Sequence, residues 1–417
     1  MRKKIIAELV DYHEKEEKEV IDVIKNFAKI TPYKTMVSKD RTVINKSLIN
    51  KEEQIVLDYY KLLLNRYCNI KFPNRSYIMT ELMNLVPFLH NYYAFTIYKF
   101  DFKDFFYNIS PKQSFKYISD SVNLKTSEFM FLKNYTNDIE ELIPGVGLHN
   151  SLVELSGNYF DLEMKKAFKD GFLYYARYVD DCILILDEKV DKNEIENTVL
   201  KLMKKCFGNK MAINVAKTEY YNSGSVNYDV NYLGYVFQKG QSATNPFKFG
   251  IARKKLDKYT EQINNIVLEY KNNNDIEMLS LKLELVFKRI VYYGARKNSK
   301  KYRWQVRGIS DSYKELKRFM KDNDDFNRIT NETKNFFCWS IERSFARNRI
   351  DLPAKIKNQL KNKKFISCFV NNKALLLHQN LGLNHSKLKA KVNIVYKDNL
   401  ENYGYSDLAN ILLTRIK

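Results

Sequence analysis

The chain has 417 residues, 45% of them hydrophobic and 14% aromatic, which is enough to bury a substantial core and excludes a disordered tail. Lysine and arginine outnumber aspartate and glutamate by 70 to 49, a formal net charge of +21. That excess favours a polyanionic partner, since cations that neutralise phosphates release condensed counterions, although a lysine-rich, ordinarily solvated surface produces it too.

The five cysteines (Cys68, Cys182, Cys206, Cys338 and Cys368) form no CxxC pair. Neither a structural zinc site nor a disulfide framework is expected, and a reducing cytoplasm fits best. The first ten residues have a basic front, but Glu8 interrupts their apolar run. No signal peptide is therefore expected, and no apolar run is long enough to span a bilayer.

Length suggests two or three domains. Glycine and proline are scarce, so long helices should dominate. Ile5, Leu9, Val20, Val23, Ile24 and Phe27 among many charges predict an amphipathic helix. A β-prone stretch from Tyr33 to Ile44 carries Lys34, Lys39 and Arg41, and helical patterns follow from Lys51 to Tyr67 and from Ser76 to Asn91. The apolar run Phe95 to Phe100 predicts a strand ending at Asp101. A strand pair is expected from Phe172 to Leu186, broken by Asp180-Asp181, and a third β-rich piece from Tyr228 to Phe237 contains Gly234. Strands interleaved with helices suggest an α/β or α+β core over roughly residues 30 to 240.

Past Phe247 the pattern turns helical, with Leu256, Tyr259, Ile263, Val267 and Tyr270 on one stripe. A basic stretch without an acid then runs through Lys288, Arg289, Arg296, Lys297, Lys300, Lys301, Arg303 and Arg307, interleaved with Tyr292, Tyr293, Tyr302 and Trp304. Cations meeting phosphates and rings stacking on bases suit a nucleic-acid strand; a solvated helix face over buried aromatics is the equal alternative. In the tail, Leu375, Leu376, Leu377, Leu381 and Leu383 predict burial in a small helical unit or a subunit contact, and Lys387, Lys389 and Lys391 offer RNA anchoring. The expected organisation is 1–245, then a helical basic segment 246–309, then a helical accessory region 310–417.

The adjacent aspartates carry the chemical argument. In Tyr175-Ala176-Arg177-Tyr178-Val179-Asp180-Asp181-Cys182-Ile183-Leu184-Ile185-Leu186, two β-prone arms flank the pair and place it at a hairpin tip. Asp101 similarly ends a strand. Gathering these carboxylates is unfavourable unless cations neutralise them. Magnesium prefers oxygen ligands and is held by one or two carboxylates plus substrate phosphates; two such ions would serve an in-line displacement. An Asp-Asp turn alone is weak evidence, because aspartate is a good turn former.

Tyr178-Val179-Asp180-Asp181 resembles the Tyr-x-Asp-Asp box of reverse transcriptases. Asp101-Phe102-Lys103-Asp104-Phe105-Phe106-Tyr107-Asn108-Ile109 resembles the other catalytic-aspartate box of the bacterial members. Asn214-Val215-Ala216-Lys217-Thr218 is similar to their Asn-x-x-Lys-Thr element, and Tyr232-Leu233-Gly234-Tyr235 to the strand that grips the primer end. The four occur in the family's order.

The resemblance implies a right-hand polymerase of α+β class: fingers and a palm with an antiparallel sheet over 1–245, a thumb over 246–309, and an α-helical C-terminal extension. It implies RNA-directed DNA synthesis, with Asp101, Asp180 and Asp181 as catalytic ligands of two Mg²⁺ ions and Mn²⁺ as a substitute. Phe106 falls at the steric gate that excludes ribonucleotides, though most phenylalanines simply pack a core. Lys39 and Arg41 resemble the basic residues that neutralise the incoming triphosphate, though as bare residues such side chains are more often mere surface charges. Lys217 corresponds to a residue that could protonate pyrophosphate, with a structural role as alternative. Tyr232, Leu233 and Gly234 would grip the primer. Arg296, Lys297, Lys300, Lys301, Arg303 and Arg307 would bind nucleic acid.

One region departs from the family. Where Pro-Gln-Gly is usual, this chain reads Pro144-Gly145-Val146-Gly147-Leu148-His149, leaving His149 either a template contact or an internally satisfied helix-start histidine. The chain shows no endonuclease module, no RNase H carboxylate set and no Val-Thr-Gly triplet of retron enzymes. With the atypical motif and a long tail, it looks most like the bacterial unknown-group, abortive-infection and defence-associated reverse transcriptases. The implied partners are an RNA template (a noncoding RNA in that class), its cDNA and dNTPs, with no membrane; an oligomer is compatible. The alternatives are a retron- or intron-type enzyme, an RNA-directed RNA polymerase (which Phe106 opposes), and a nonenzymatic RNA-binding protein on a polymerase scaffold.

Overall fold

The N-terminal charges and apolar residues fold as two helices, α1 (Arg2–His13) and α2 (Glu17–Asn26), not as the single helix that the pattern predicts. Glu14 ends α1 in the left-handed conformation at φ 56°, its N–H returning to the Val10 carbonyl, and this turns the chain back on itself. The computed structural model describes residues 1–27, 29–38, 41–119, 123–242, 245–295, 302–320, 326–371 and 374–415. They form two compact units, Met1–Val226 and Asn227–Lys417. Among the described residues no helix is long and apolar enough to cross a membrane.

In the first unit the β-prone stretch forms a hairpin, β1 (Thr35–Ser38) and β2 (Arg41–Ile44). Helix α3 (Lys51–Tyr67) begins where the Asn50 side chain accepts from the Glu52 N–H, and α4 (Arg75–Leu85) where Asn74 accepts from Ser76 and Tyr77, the expected capping chemistry. The helix predicted as far as Asn91 tightens into a 3-10 turn over Val86–Asn91, since Pro87 has no N–H to continue the α ladder. Strand β3 (Thr96–Asp101) follows, then the short α5 (Phe105–Asn108), α6 (Pro111–Ser119), α7 (Thr126–Asp138) and α8 (Gly147–Ala167). The predicted strand pair is β4 (Phe172–Tyr178) and β5 (Asp181–Leu186); α9 (Lys192–Phe207) and β6 (Glu219–Asn222) complete the unit.

The sheet order is β4-β5-β3-β6, with every neighbour antiparallel. Central β3 is buried along its whole length. Strand alternation sends Tyr98 and Phe100, with Cys182, Leu184 and Leu186 of β5, into a core shared with α3, α8 and α9. Asp101 and Asp181 therefore lie on the opposite face.

In the second unit, β7 (Asp229–Tyr232), β8 (Tyr235–Ser242) and β9 (Asn245–Ile251) form an antiparallel meander. Its first turn uses Leu233 at φ 49° and Gly234 at φ 79°, the two positive angles of a tight hairpin. Helix α10 (Arg253–Asn273) carries the predicted stripe, and α11 (Ile276–Phe287) follows it. The segment expected to stay helical to residue 309 instead becomes a hairpin, β10 (Ile290–Ala295) with β11 (Tyr302–Arg307). Ile290, Val291, Tyr292 and Tyr293 in a row suit a pleated, half-buried surface better than a helix.

The remaining elements are α12 (Ile309–Ser312), α13 (Asn331–Arg347), α14 (Ala354–Lys361), α15 (Lys364–Val370), β12 (Leu375–Leu377), α16 (His385–Val395) and α17 (Tyr405–Arg415). The leucine run predicted to be helical is thus the strand β12, paired in parallel with β10. The tail is not a separate helical region: Leu375, Leu377, Leu388, Val392, Leu408 and Leu412 share one core with Leu281 and Leu285 of α11. The division after Val226 also keeps the β7–β8–β9 meander whole, which a boundary at 245 would cut.

Phe102, 1% exposed, meets the rings of Phe100, Phe105, Phe160 and Phe207 at 5.8, 4.7, 5.4 and 5.2 Å. Phe102→Ala is expected to cost about 3–5 kcal/mol, read as a lowered urea midpoint.

Candidate active site

Three carboxylates converge because the β3–β5 register pairs Asp101 with Asp181 at the strand ends. The connection between β4 and β5 is only Val179-Asp180, which adds the third. Val179 holds φ 60°, an outlier for a β-branched residue that costs on the order of 1–3 kcal/mol and persists only where the surroundings enforce it. The Asp180 carbonyl accepts from the Phe102 N–H at 3.2 Å, fastening the turn to the chain just beyond Asp101. Oxygens of Asp101, Asp180 and Asp181 then lie within 4.8 Å of one another, with Asp101 2% exposed.

The electrostatics follow from that crowding. Burial first, and then the neighbouring carboxylates, push Asp181 up to about 6 and raise Asp180 as well. The cluster recruits cations. Lys217 Nζ lies 3.0 Å from both Asp101 oxygens, and Asn214 Nδ2 donates to Asp101 Oδ1 at 3.2 Å. Burial pulls Lys217 down, but its hydrogen bond to Asp101 and the attraction of all three carboxylates outweigh that and raise it. Lys99, buried on the same face, donates to the Lys217 carbonyl at 2.9 Å and lies 3.4 Å from Glu219. The Asn214–Lys217 loop is itself pinned to β3, since the Asn214 N–H donates to the Asp101 carbonyl at 2.8 Å and Lys103 N–H to that of Ala212 at 2.9 Å. An all-oxygen, like-charged cluster that already draws an ammonium to itself suits a hard divalent cation.

A second network holds the turn from below. Arg177, 4% exposed, sends Nη1 to the Val179 carbonyl at 3.1 Å and Nη2 to Glu154 Oε2 at 3.0 Å. Its Nε reaches Asp161 Oδ1 at 2.9 Å. One guanidinium thus joins the strained peptide to two turns of α8. Gly157 makes room for it: a Cβ there would stand 2.3 Å from Arg177 Nη2.

No family model matches this sequence, and no curated protein matches it. Among solved structures the chain is similar to the telomerase of Candida albicans in complex with a TWJ fragment of telomeric RNA, at 11% identity over 96% of this chain and 68% of that one, TM-score 0.38. It is also similar to the telomerase of Candida tropicalis in the corresponding complex, at 12% identity over 95% and 67%, TM-score 0.35.

The other residues singled out in the sequence fall in several places. Arg41, exposed at the start of β2, is near enough to Asp180 to oppose the rise of its carboxyl. Its hairpin is tied down by Tyr107, whose hydroxyl donates to the Thr42 carbonyl at 2.6 Å, and by the Ile44 N–H on the Pro144 carbonyl at 2.8 Å. Phe106 in α5 is half-buried, its ring edge-on to Phe105 at 6.3 Å. Tyr232, Leu233 and Gly234 form the β7–β8 turn of the second unit, with Tyr232 buried. Arg303 and Arg307 lie exposed on β11, also in the second unit. Lys39, Arg296, Lys297, Lys300 and Lys301 lie outside the described residues.

His149 is internally satisfied. Nδ1 donates to the Ile143 carbonyl at 2.8 Å, and Nε2 accepts from the Tyr135 hydroxyl at 2.7 Å. Burial lowers it to about 4, so it stays neutral.

Sequence reasoning missed Lys99, Arg177, Glu154, Asp161 and the need for Gly157. The one signal available was an arginine inside an otherwise apolar strand, which demands buried acceptors. Arg177→Met is expected to destabilise the protein by about 3–5 kcal/mol by stranding a buried carboxylate. Burial already holds Glu154 above its ordinary value despite the arginine. Without Arg177 it rises further, so the ionised form is penalised and stability falls as pH climbs through the folded-state value. Urea unfolding of variant and parent should show a gap that is wider at pH 8 than at pH 5.

Proposed function

We propose that this chain is an RNA-directed DNA polymerase, a reverse transcriptase of the bacterial unknown-group, abortive-infection and defence-associated class that copies a noncoding RNA. The observation that carries the reading is the meeting of Asp101, Asp180 and Asp181 within 4.8 Å at two paired strand ends. These are the residues of the two aspartate boxes, brought together from about eighty positions apart in sequence by non-local pairing.

Asp101, Asp180 and Asp181 would hold magnesium, with manganese as a substitute. The chemistry supplied there when bound is activation of the primer 3′-hydroxyl and stabilisation of the leaving pyrophosphate. Lys217, whose side chain is 53% exposed, can leave Asp101 for the pyrophosphate, where its ammonium has a proton to give. Arg41 faces the cluster from β2 and is the described candidate for neutralising the triphosphate. Phe106, five residues past Asp101, is the group we assign to excluding a ribose 2′-hydroxyl. Arg177 keeps the Val179-Asp180 turn in place, so that little reorganisation is needed when substrate arrives.

Two measurements test the reading. With primer–template, dNTPs and magnesium, the protein should extend the primer. Asp180→Asn with Asp181→Asn should lower extension by about a thousandfold or more, with no fall in Tm because like-charge repulsion is relieved. Undiminished extension by that double variant would remove the mechanism, and magnesium-independent RNA binding without incorporation would point to the nonenzymatic alternative. Separately, Phe106→Ala should raise NTP incorporation relative to dNTP by about tenfold or more while leaving dNTP use in place. Efficient NTP use by the parent would instead make the chain an RNA-directed RNA polymerase.

A further inference from the structure

His149 lies outside the carboxylate cluster, yet it sets the chemistry of a separate cavity in the first unit. About 450 Å³ of space is enclosed by the segment that precedes β1, by α7 and by the start of α8, with Tyr33, Phe131, Tyr135, Ile139, Ile143 and His149 among its walls. That volume falls in the range of small-molecule sites. The planes of Phe131 and Tyr135 are 10° apart, and Tyr33 meets His149 edge-on at 5.7 Å. Such walls suit a flat ring.

The protons on this wall all run inward. His149 donates through Nδ1 to the Ile143 carbonyl at 2.8 Å and, being neutral, has no proton on Nε2. Nε2 therefore accepts from the Tyr135 hydroxyl at 2.7 Å, and the Tyr135 oxygen accepts in turn from the Tyr33 hydroxyl at 2.8 Å. Burial raises both phenols, so each keeps its proton. A hydroxyl has one proton to give, and the chain spends every one. The Tyr33 oxygen is left as the outer end, able only to accept. Thr31 on the same wall behaves alike, its N–H and its hydroxyl both donating to Glu53. Asp138, Glu140 and Glu141 line the cavity against Lys29, which is itself 3.4 Å from Asp138. In a chain of net charge +21, this is a local excess of acid.

We infer that the cavity binds a small aromatic cation: a planar ring with N–H donors, such as an aryl amidine or a protonated amino-heterocycle, and no anionic group. Its N–H groups bond the oxygen that ends the relay, its charge is balanced by Glu140 and Glu141, and its face rests on the rings. A ring that presents only acceptors finds no proton free on the relay, and an anion meets the carboxylates, so both are rejected. The same acids exclude a phosphate strand. The inference does not rest on the polymerase reading, because neither the relay nor the acids belong to the Asp101 cluster.

The test titrates the full chain with benzamidine, benzamide and benzoate, three rings of one shape, by calorimetry or ligand-detected NMR. Benzamidine should bind at least about tenfold more tightly than benzamide, and benzoate should not bind. Tyr33→Phe, which keeps the ring and removes the terminal oxygen, should weaken benzamidine by about tenfold. Tyr135→Phe frees the Tyr33 proton to point outward, so benzamide should gain and the gap between the two should narrow. Glu140→Gln with Glu141→Gln, at exposed positions outside the relay, should weaken benzamidine and leave benzamide unchanged; this arm decides the matter even where a tyrosine variant melts early. Benzoate binding as well as benzamidine would overturn the inference. So would undiminished benzamidine binding by Tyr33→Phe, or by the double glutamine variant. Primer extension is not the readout, so the two readings fail separately.

Discussion

Three acids held against one another are the constraint around which the first unit is organised. At an effective dielectric of about 20, two full charges some 5 Å apart repel by on the order of 3 kcal/mol, a large share of a domain's net stability. The β3–β5 register imposes the encounter: Asp101 opposes Asp181 because Phe100 opposes Cys182 in the core behind them. A slip of one residue would send both core and acids to the wrong faces, so the apolar packing that stabilises the sheet also enforces the repulsion at its end.

That repulsion is met in two ways. Toward the open side, Lys217 and Asn214 hold Asp101, Lys99 braces the Lys217 backbone, and the carboxyls of Asp180 and Asp181 are raised above their ordinary values. Beneath the turn, support is rigid instead of titratable. Arg177 is paired with Glu154 and Asp161 and hydrogen-bonded to the Val179 carbonyl, and it fills the space that Gly157 vacates. A left-handed valine and clustered acids are features that packing alone does not favour. Their retention inside a framework built to hold them is what a preorganised site requires.

Much of this is legible in the sequence where the signal is local. The arms around Asp180-Asp181 read as strands because β-branched and aromatic residues run up to a two-residue break, and Asp101 reads as a strand end for the same reason. Their meeting is non-local and was accessible only through the order of the motifs. The partners of Arg177 were invisible: Glu154 and Asp161 look like ordinary helix charges until the guanidinium between them is seen. The hairpin at 290–307 and the strand at 375–377 were misread as helical because short apolar runs do not distinguish a strand from a buried helix segment. The decision is made by partners some eighty residues away.

Those two misreadings are one physical fact. The pairing of β12 with β10 is non-local: the chain runs through β11 and then from α12 through α15 before it returns to the sheet. Closing so long a segment costs entropy that grows only logarithmically with its length, and the apolar face shared with α11, α16 and α17 offsets it. The C-terminal hundred residues therefore complete the basic hairpin's sheet instead of hanging from it. His378 reaches Tyr293 and Trp304 only because Leu375 and Leu377 are buried beside Ile290 and Tyr292. An apolar register on one face of the sheet thus fixes the aromatic surface on the other, much as Phe100 and Cys182 fix the acids at the end of β3.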